Sequence, residues 1–312
     1  MSLESSQAVT QASETVVTAT QGLPTWRAYL ALTKPRIIEL LLVTTIPTMF
    51  LAAEGFPAFS LVCITLFGGA LSAGGANALN CYVDRDIDAI MHRTQHRPSA
   101  TGQISPRNIM VFGLTLSVLS VAVFAVWVNL MSALLTAFAI AFYVLGYTLV
   151  LKRRTPQNIV WGGAAGCMPV LIGWSAVTGS VGWSALMLFL IVFFWTPPHY
   201  WPLSLRYKED YARAEVPMLP VQSEPSVVAN RIIVYTVAMI AVSFALVPVA
   251  EMSRTYIGAA VLLGVAFLGE AIALKMRVQN GAADLKPMRL FHWSITYLAL
   301  LFLAVGIDPF IR

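Results

Sequence analysis

Charged residues are scarce in this chain. Only 11% of its 312 residues are Asp, Glu, Lys or Arg, while 58% are hydrophobic. A soluble domain carries about 25% charged residues, so the composition excludes an ordinary water-soluble protein. The hydrophobic residues fall into blocks of about 17 to 26, and about 20 such residues cross a bilayer as a helix. The chain is therefore predicted to be an all-α integral membrane protein.

Cysteine and histidine are also few. The three cysteines, Cys63, Cys81 and Cys167, lie in or beside hydrophobic blocks without metal-ligand spacing, which indicates packing residues and no disulfide framework. His92 and His96 are four residues apart, but their loop offers no third ligand for zinc. The net charge of +5 does not indicate nucleic-acid binding, because 18 of the 20 Lys and Arg residues flank the hydrophobic blocks on one side.

The first 24 residues contain no Lys or Arg. This excludes a secretory signal, which begins with basic residues, and a mitochondrial transit peptide, which is rich in arginine. We expect a disordered tail over residues 1–30 and one membrane domain over residues 31–312. The missing arginines favour a bacterial inner membrane over a mitochondrial one.

The hydrophobic blocks predict about nine membrane-spanning helices. They lie near 37–54, 58–83, 109–127, 131–151, 158–178, 182–205, 231–250, 256–274 and 291–307. The basic residues lie before the first span and in every second loop, which predicts a cytoplasmic N-terminus and an external C-terminus. The loops at about 84–108 and 206–230 are long and polar, so the chemistry is expected there, on the cytoplasmic side.

Asn80, Asp84 and Asp88 follow one another at intervals of four residues. On a helix they share one face over about 12 Å. Two carboxylates and an amide oxygen on one face repel each other unless a cation lies between them, and Mg²⁺ binds such oxygens together with substrate phosphates. The alternative is a solvated helix end with ordinary charges. Asp86 is predicted to point to the opposite side.

The sixth block contains Pro197 and Pro198, which are expected to break or kink its helix. His199 and Trp201 follow directly. His199 is the ionisable residue nearest the bilayer interior in this block, which makes it a candidate functional group. Three roles stay open from the residues alone: a haem-iron ligand, an acid or base, and a hydrogen bond to a carbonyl freed by the prolines.

Two further groups of charged residues are candidates. Glu209, Asp210 and Glu215 are predicted to form a second carboxylate site facing the first. Lys152 and Arg153 precede a Thr-Pro pair that is typical of a helix N-terminus, and cations beside such an N-terminus favour an anion. The alternative for this loop is a positively charged membrane anchor.

These motifs together resemble the intramembrane prenyltransferases of the UbiA superfamily. In that family Asn-x3-Asp-x3-Asp follows the second helix and holds Mg²⁺ and diphosphate; Asn80, Asp84 and Asp88 match it. The matching segments run in order from about residue 33 to residue 220. Those around His199 and at 217–220 are similar to the members that act on haem b. The chain departs from the family at Glu215, where a glycine is expected.

The resemblance implies transfer of the farnesyl group of farnesyl diphosphate to the 2-vinyl group of haem b, with addition of water. The implied site residues fall into four sets. They are Asp84, Asp88 and Asp210 for catalysis; Asn80, Arg93, Arg97, Lys152, Arg153, Arg206 and Lys208 for the diphosphate; His199 and Trp201 for haem; and Asn80, Asp84, Asp88, Glu209 and Asp210 for Mg²⁺. Membrane lipid surrounds such a protein, and its product is expected to pass to a haem A synthase or to the assembly of a terminal oxidase.

Two other functions fit parts of the pattern. One is a quinone-pathway member of the same superfamily, which has an aromatic acceptor. The other is a secondary transporter of an anionic lipid or metabolite, which also contains proline-broken helices and clustered charges. A transporter is expected to place ionisable residues near the middle of the membrane, whereas here they lie at its predicted cytoplasmic rim.

Overall fold

A computed structural model describes residues 23–312, apart from the side chains of residues 36, 37 and 39–42. All regular structure in this part of the chain is helical. The helices are α1 (Thr25–Thr33), α2 (Pro35–Ala53), α3 (Phe59–Val83), α4 (Arg85–Ile90), α5 (Pro106–Trp127), α6 (Leu130–Ala141), α7 (Asn158–Thr178), α8 (Trp183–Arg206), α9 (Lys208–Arg213), α10 (Leu219–Gln222), α11 (Pro225–Val249), α12 (Arg254–Gln279) and α13 (Pro287–Ile307).

The predicted disordered tail is corrected at its C-terminal end. Residues 1–22 lie outside the described residues, but residues 25–30 belong to α1. Ala28 and Leu32 of this helix are buried, and α1 packs against α3. Burial of this apolar face stabilises a helix that composition alone did not indicate.

Eight helices of the described chain are long and apolar enough to cross a membrane, which confirms a multi-pass helical fold. They are α3, α5, α6 with its continuation to Arg154, α7, α8, α11, α12 and α13. The largest difference from the sequence prediction is at α11, which was predicted from residue 231 and begins at Pro225. Helix α2 has 19 residues, of which Val43–Ala53 form the described apolar part. This part is too short to count as a membrane span, so a ninth span stays a prediction.

Helices α2 and α7 lie between two groups of helices. On one side α3, α5 and α6 pack together, and on the other side α8, α11, α12 and α13 do. Close approach of α3 and α5 requires small residues, since a Cβ at Gly75 would lie 2.6 Å from Ser117 Oγ. This agrees with the role of small residues in membrane helix packing.

Helix α6 continues as a π-helix over Phe142–Leu151 and ends with the turn Lys152–Arg154. The Thr148 hydroxyl donates to the Tyr143 carbonyl at 2.9 Å within this wider turn. Both residues face α3: the Tyr143 hydroxyl donates to Asn77 Oδ1 at 3.4 Å, and Asn80 Nδ2 donates to Thr148 Oγ1 at 3.1 Å. Departures of this kind from α-geometry are frequent at functional sites.

Helix α8 runs without a break through Pro197, Pro198 and Pro202. Of the predicted break or kink, the break is therefore wrong and the kink stays a prediction. The helix packs on three sides against α7, α11 and α13. Side-chain hydroxyls also bond within it, as Ser204 Oγ does to the Tyr200 carbonyl at 3.1 Å. Such packing and side-chain bonds explain why prolines are tolerated in membrane helices.

Candidate functional site

Asp84 ends α3 with a carboxylate that is only 1% exposed. Its Oδ2 accepts hydrogen bonds from Lys152 Nζ and, at 2.8 Å, from Asn80 Nδ2. Its Oδ1 has no hydrogen-bond partner among the described residues, and Arg153 Nη2 lies 3.7 Å away. Because an unpaired buried carboxylate oxygen is costly, this atom is a candidate ligand for a cation.

Lys34 is a member of this cluster that the site prediction missed. Its Nζ donates to Asn80 Oδ1 at 2.6 Å. Lys34 lies between α1 and α2 with a φ of 53°, and Pro35 begins α2 directly after it. Burial lowers the pKa of Lys34. The residue was visible in the sequence only as part of a Thr-Lys-Pro-Arg segment 46 residues before Asn80.

Asp88 is also buried, at 2% exposure, and Arg97 Nη1 donates to both of its carboxylate oxygens at 2.9 and 2.8 Å. Asp86, which was predicted to point to the opposite side, is exposed and lies beside Arg153, which also approaches Asp84. There Arg153 donates to both oxygens of Asp86, at 2.8 and 2.7 Å. The hydrogen bonds from Arg153 lower the pKa of Asp86 to about 2, so it stays ionised at neutral pH.

Asp210, in α9, is the buried carboxylate of the second acidic segment. Arg213 donates to its Oδ1, and the backbone N–H of Arg93 donates to its Oδ2 at 3.3 Å. Burial acts to raise the pKa of Asp210, but these hydrogen bonds outweigh it and hold the pKa below its usual value. Arg93 Nη2 also donates to the Tyr211 hydroxyl at 3.4 Å, and the Tyr200 and Tyr211 hydroxyls are 3.1 Å apart.

The segment 91–97 joins the two acidic segments. Its Arg97 binds Asp88, and its Arg93 binds Asp210. The structure therefore brings Asn80, Asp84, Asp88 and Asp210 to one polar end of the bundle.

Three predicted site residues do not join this cluster. Arg206, Lys208 and Glu209 are exposed, and within residues 23–312 no hydrogen bond or ion pair holds them. Glu215 is exposed too, with a φ of 53°. That left-handed conformation is the one glycine adopts without strain, which explains why a glycine is expected at this position. Glu215 therefore differs from the expected glycine in that its backbone is strained in this conformation.

The His199 ring is stacked between Trp195 and Phe291, with centroids 4.2 and 4.6 Å away. Its Nδ1 lies 2.7 Å from the Ser294 hydroxyl, which itself donates to the Phe291 carbonyl at 2.6 Å. Because that hydroxyl proton is committed, Nδ1 must carry the proton that bonds Ser294 Oγ. The neutral ring then keeps a lone pair on Nε2, which has no partner in the described part of the chain.

Trp201 is 1% exposed and lies between α8 and α11, where its ring meets Tyr235 edge-on at 5.4 Å. Its Nε1 is buried without a hydrogen-bond partner among the described residues. Trp201 therefore packs among α8, α11, α12 and α13, and the structure describes no contact between it and His199.

An apolar cavity of about 140 Å³ lies between α2, α3, α6 with its π-helix, and α7. Asn77 and Tyr143 line the end nearest the polar cluster, and Asn77 is one helical turn from Asn80. The remaining walls are mostly glycine, alanine and aliphatic side chains. The arrangement suits a ligand with an anionic head and an apolar tail.

The carboxylates do not form a metal cluster by themselves. Within residues 23–312 no group of three or more His, Cys, Asp and Glu side chains could hold a metal ion. Asp84, Asp88 and Asp210 are paired instead with Lys152, Arg97 and Arg213.

The sequence profile of the UbiA prenyltransferase family matches residues 41–295. The chain belongs to this family. It is therefore a prenyltransferase, and the match includes both acidic segments and α7, which forms one wall of the cavity.

Several actinobacterial relatives of this prenyltransferase are named protoheme IX farnesyltransferase. The protein of Streptomyces avermitilis is 57% identical over 288 residues, which are 92% of this chain and 94% of the relative. That of Kineococcus radiotolerans is 54% identical over 93% of this chain and 89% of the relative. Identity of this level over most of both chains agrees with the resemblance noted in the sequence.

Solved structures share the prenyltransferase fold at low sequence identity. A digeranylgeranylglyceryl phosphate synthase has a TM-score of 0.75 at 14% identity and covers 91% of this chain and 98% of its own. A UbiA homologue from Archaeoglobus fulgidus bound to DMAPP and Mg²⁺ has a TM-score of 0.61 at 16% identity, over 89% of this chain and 99% of its own. These likenesses show the membrane fold.

Proposed function

We propose that this prenyltransferase transfers the farnesyl group of farnesyl diphosphate to the 2-vinyl group of haem b, with addition of water, to form haem O. The observation that carries the reaction class is a cluster of buried carboxylates and cations about one helical turn from the polar end of an apolar cavity. The acceptor is supported by relatives at 54 to 59% identity that are named protoheme IX farnesyltransferase.

The cations of the cluster form the proposed binding site for the diphosphate. Lys34, Lys152 and Arg97 already donate to Asn80, Asp84 and Asp88 respectively. Their side chains are therefore held beside the motif residues before any ligand binds. Fixed donors of this kind stabilise the negative charge that grows on a leaving diphosphate, typically by several kcal/mol in a water-poor site.

The types of ligand atom present suit a Mg²⁺ ion at the same place, although Asp84, Asp88 and Asp210 are paired with Lys152, Arg97 and Arg213 in this structure. Asn80, Asp84 and Asp88 are the proposed holders, with Asp210 on the opposite side, because carboxylate and amide oxygens are the ligands that Mg²⁺ prefers. The buried Oδ1 of Asp84, which lacks a hydrogen-bond partner among the described residues, supports this assignment. When bound, the ion would add positive charge against the leaving diphosphate.

The cavity protects the reactive intermediate. Breaking the bond between C1 and the diphosphate oxygen leaves an allylic cation, and the apolar walls below Asn77 and Tyr143 exclude water from it. The π-electrons of the vinyl group form the new carbon–carbon bond, and a positive charge moves to the vinyl carbon beside the porphyrin. Water then adds to that carbon and loses its proton to solvent or to the released diphosphate.

His199 is the proposed contact to the haem. Its Nε2 keeps a lone pair, while Nδ1 is held by Ser294, and neutral imidazole is a common iron ligand. Trp195 and Phe291 fix the plane of the ring from both sides. His199 lies seven residues before the end of α8 at Arg206, which is roughly 10 Å along the helix, so the acceptor would lie deeper than the diphosphate.

The test is a reconstitution with purified protein. In detergent with farnesyl diphosphate, haem b and Mg²⁺, we expect mass spectrometry to find haem whose mass has grown by one farnesyl group and one water. Asp84→Asn serves as the inactive control. Prenylation of an aromatic quinone precursor but not of haem would identify a quinone-pathway enzyme instead. No prenylated product from either acceptor, together with uptake into sealed vesicles, would favour a transporter.

The same proposal places the polar end of the bundle in the cytoplasm, at a bacterial inner membrane. The basic asymmetry of the loops supports this orientation. In a Cys63→Ala background, an impermeant thiol reagent applied to intact cells should label Ser180→Cys and spare Gln95→Cys and Gln222→Cys. All three positions are exposed in the structure. Labelling of position 95 from outside would reverse the orientation.

A further inference from the structure

The apolar cavity has a near end and a far end. On α3 its lining runs from Asn77, one turn from Asn80, to Thr65, and 12 residues of helix span about 18 Å. Helix α7 runs in the opposite direction, and its deepest lining residues are Pro169 and Ile172. Thr65 and Ile172 are therefore the residues of these two helices that lie farthest from the polar cluster.

Thr65 lies at this far end. The residue is 1% exposed, and its Oγ1 is buried with no hydrogen-bond partner among the described residues. Valine has nearly the same shape as threonine. Thr65 is therefore expected to act at this end of the cavity through its size rather than through its hydroxyl.

Gly166 keeps the wall of the cavity open. A Cβ added there would meet nothing within 4 Å. The other glycines in the same part of α7 are packed differently, since a Cβ at Gly163 would lie 2.9 Å from Thr196 and one at Gly162 would collide with Tyr147. Gly162 and Gly163 thus serve helix contacts, while Gly166 leaves free space beside the cavity.

We propose that Thr65 and Ile172 set the length of the isoprenoid chain that this enzyme accepts. The inference rests on the proposed function for the diphosphate-binding site at the near end. An extended farnesyl chain measures roughly 15 Å, from carbon–carbon bonds of about 1.5 Å. It fits the 18 Å lining of α3, whereas one further isoprene unit, roughly 4–5 Å longer, would pass the floor.

The experiment measures binding of unreactive thiolodiphosphate analogues with geranyl, farnesyl and geranylgeranyl chains to the detergent-solubilised full chain in Mg²⁺, so that no acceptor is needed. Thr65→Leu fills the floor and should weaken farnesyl binding at least tenfold while geranyl binding changes less than about twofold. Ile172→Ala opens the floor and should raise geranylgeranyl affinity relative to farnesyl by a similar factor. The two variants act in opposite directions, so a folding defect in one leaves the other as a test.

Three controls isolate chain length. Thr65→Val removes the hydroxyl but keeps the shape, and should leave the order of affinities unchanged. Gly166→Leu narrows the wall and should weaken all three analogues together. Gly258→Leu places the same side chain in open space on α12, since a Cβ at Gly258 also meets nothing within 4 Å, and should change none of them.

Unchanged ratios between the three analogues in both Thr65→Leu and Ile172→Ala would overturn the inference. That result is independent of the acceptor. If the ratios shift as expected but haem is not farnesylated in the reconstitution, the length determinant stands and the proposed acceptor fails. If haem is farnesylated and the ratios do not shift, the proposed function stands and the length determinant fails.

Discussion

The two acidic segments of this protein differ in how their carboxylates are held. After α3, Asp84 and Asp88 are both almost fully buried, and Asp84 is bound by Lys152, 68 residues away. After α8, only Asp210 is buried; its basic partner is Arg213, three residues along the same short helix. The first segment thus contains two buried carboxylates and the second contains one, and each segment has one partner distant in sequence, Lys152 and Arg93 respectively. We expect the first to dominate catalysis.

The largest expected effect is at Asp84 and Asp88. Asp84→Asn and Asp88→Asn should each lower turnover by at least about 10³-fold, because each removes a buried charge needed to hold a cation at the diphosphate. Asp86→Asn is the matched control on the same segment and should cost less than about threefold, since Asp86 faces outward toward Arg153. Product formation from farnesyl diphosphate and haem b measures all three. Equal losses at Asp86 and Asp84 would contradict the comparison.

In the second acidic segment, substitution of only one carboxylate, Asp210, should lower turnover strongly. Asp210→Asn is expected to lower turnover about 10²-fold, because Asp210 is buried and tied to Arg93 and thereby to the loop that holds Asp88. Glu209→Gln, one residue away and exposed, should change turnover by less than about twofold. The dependence of rate on Mg²⁺ concentration should shift in the first variant alone. A comparable defect in Glu209→Gln would restore the predicted two-carboxylate site.

Substitutions of His199 test the proposed haem contact, which lies outside both acidic segments. His199→Phe keeps the stacking with Trp195 and Phe291 but removes the ring nitrogens, whereas His199→Ala removes both. Both variants should weaken haem binding about tenfold in absorbance titrations, with a shifted Soret band and an unchanged KM for farnesyl diphosphate. Wild-type haem spectra in His199→Phe would leave the residue with a packing role only.

The smallest expected effect is at Glu215, in the second segment. Because its φ is 53°, Glu215→Gly should stabilise the protein by about 1 kcal/mol with little change in turnover. Glu215→Ala removes the carboxylate but not the strained conformation, so it should give no stabilisation. Thermal unfolding in detergent separates the two. Loss of activity in both variants would instead give the carboxylate itself a role.

The sequence was sufficient for the long hydrophobic helices, because such blocks are a strong local signal, but it did not indicate α1. Asn80, Asp84 and Asp88 were predicted on one helix. In the structure α3 ends at Val83 and α4 begins at Arg85, yet the four-residue spacing is kept by backbone bonds from Asp84 to Asn80 and from Asp88 to Asp84. The continuation of α8 through its prolines was not predicted, because it depends on packing against the neighbouring helices α7, α11 and α13.

Contacts between distant residues were less accessible. The bond from Lys34 to Asn80 spans 46 residues, and the one from Arg93 to Asp210 spans 117. No local pattern encodes such pairs. The exposure of Arg206, Lys208 and Glu209 was missed for a related reason. The sequence does not show which of several neighbouring ionisable residues is buried, as Asp210 is, and which face the solvent.

The π-helix at Phe142–Leu151 has a consequence for how this protein tolerates change in length. Its winding fixes the direction in which the residues beyond it point, so a one-residue insertion or deletion that kept this winding would turn them by a large part of a turn. Lys152 would then leave Asp84, although neither residue had been altered. Insertions and deletions in this short stretch are therefore expected to act like mutations of the site itself.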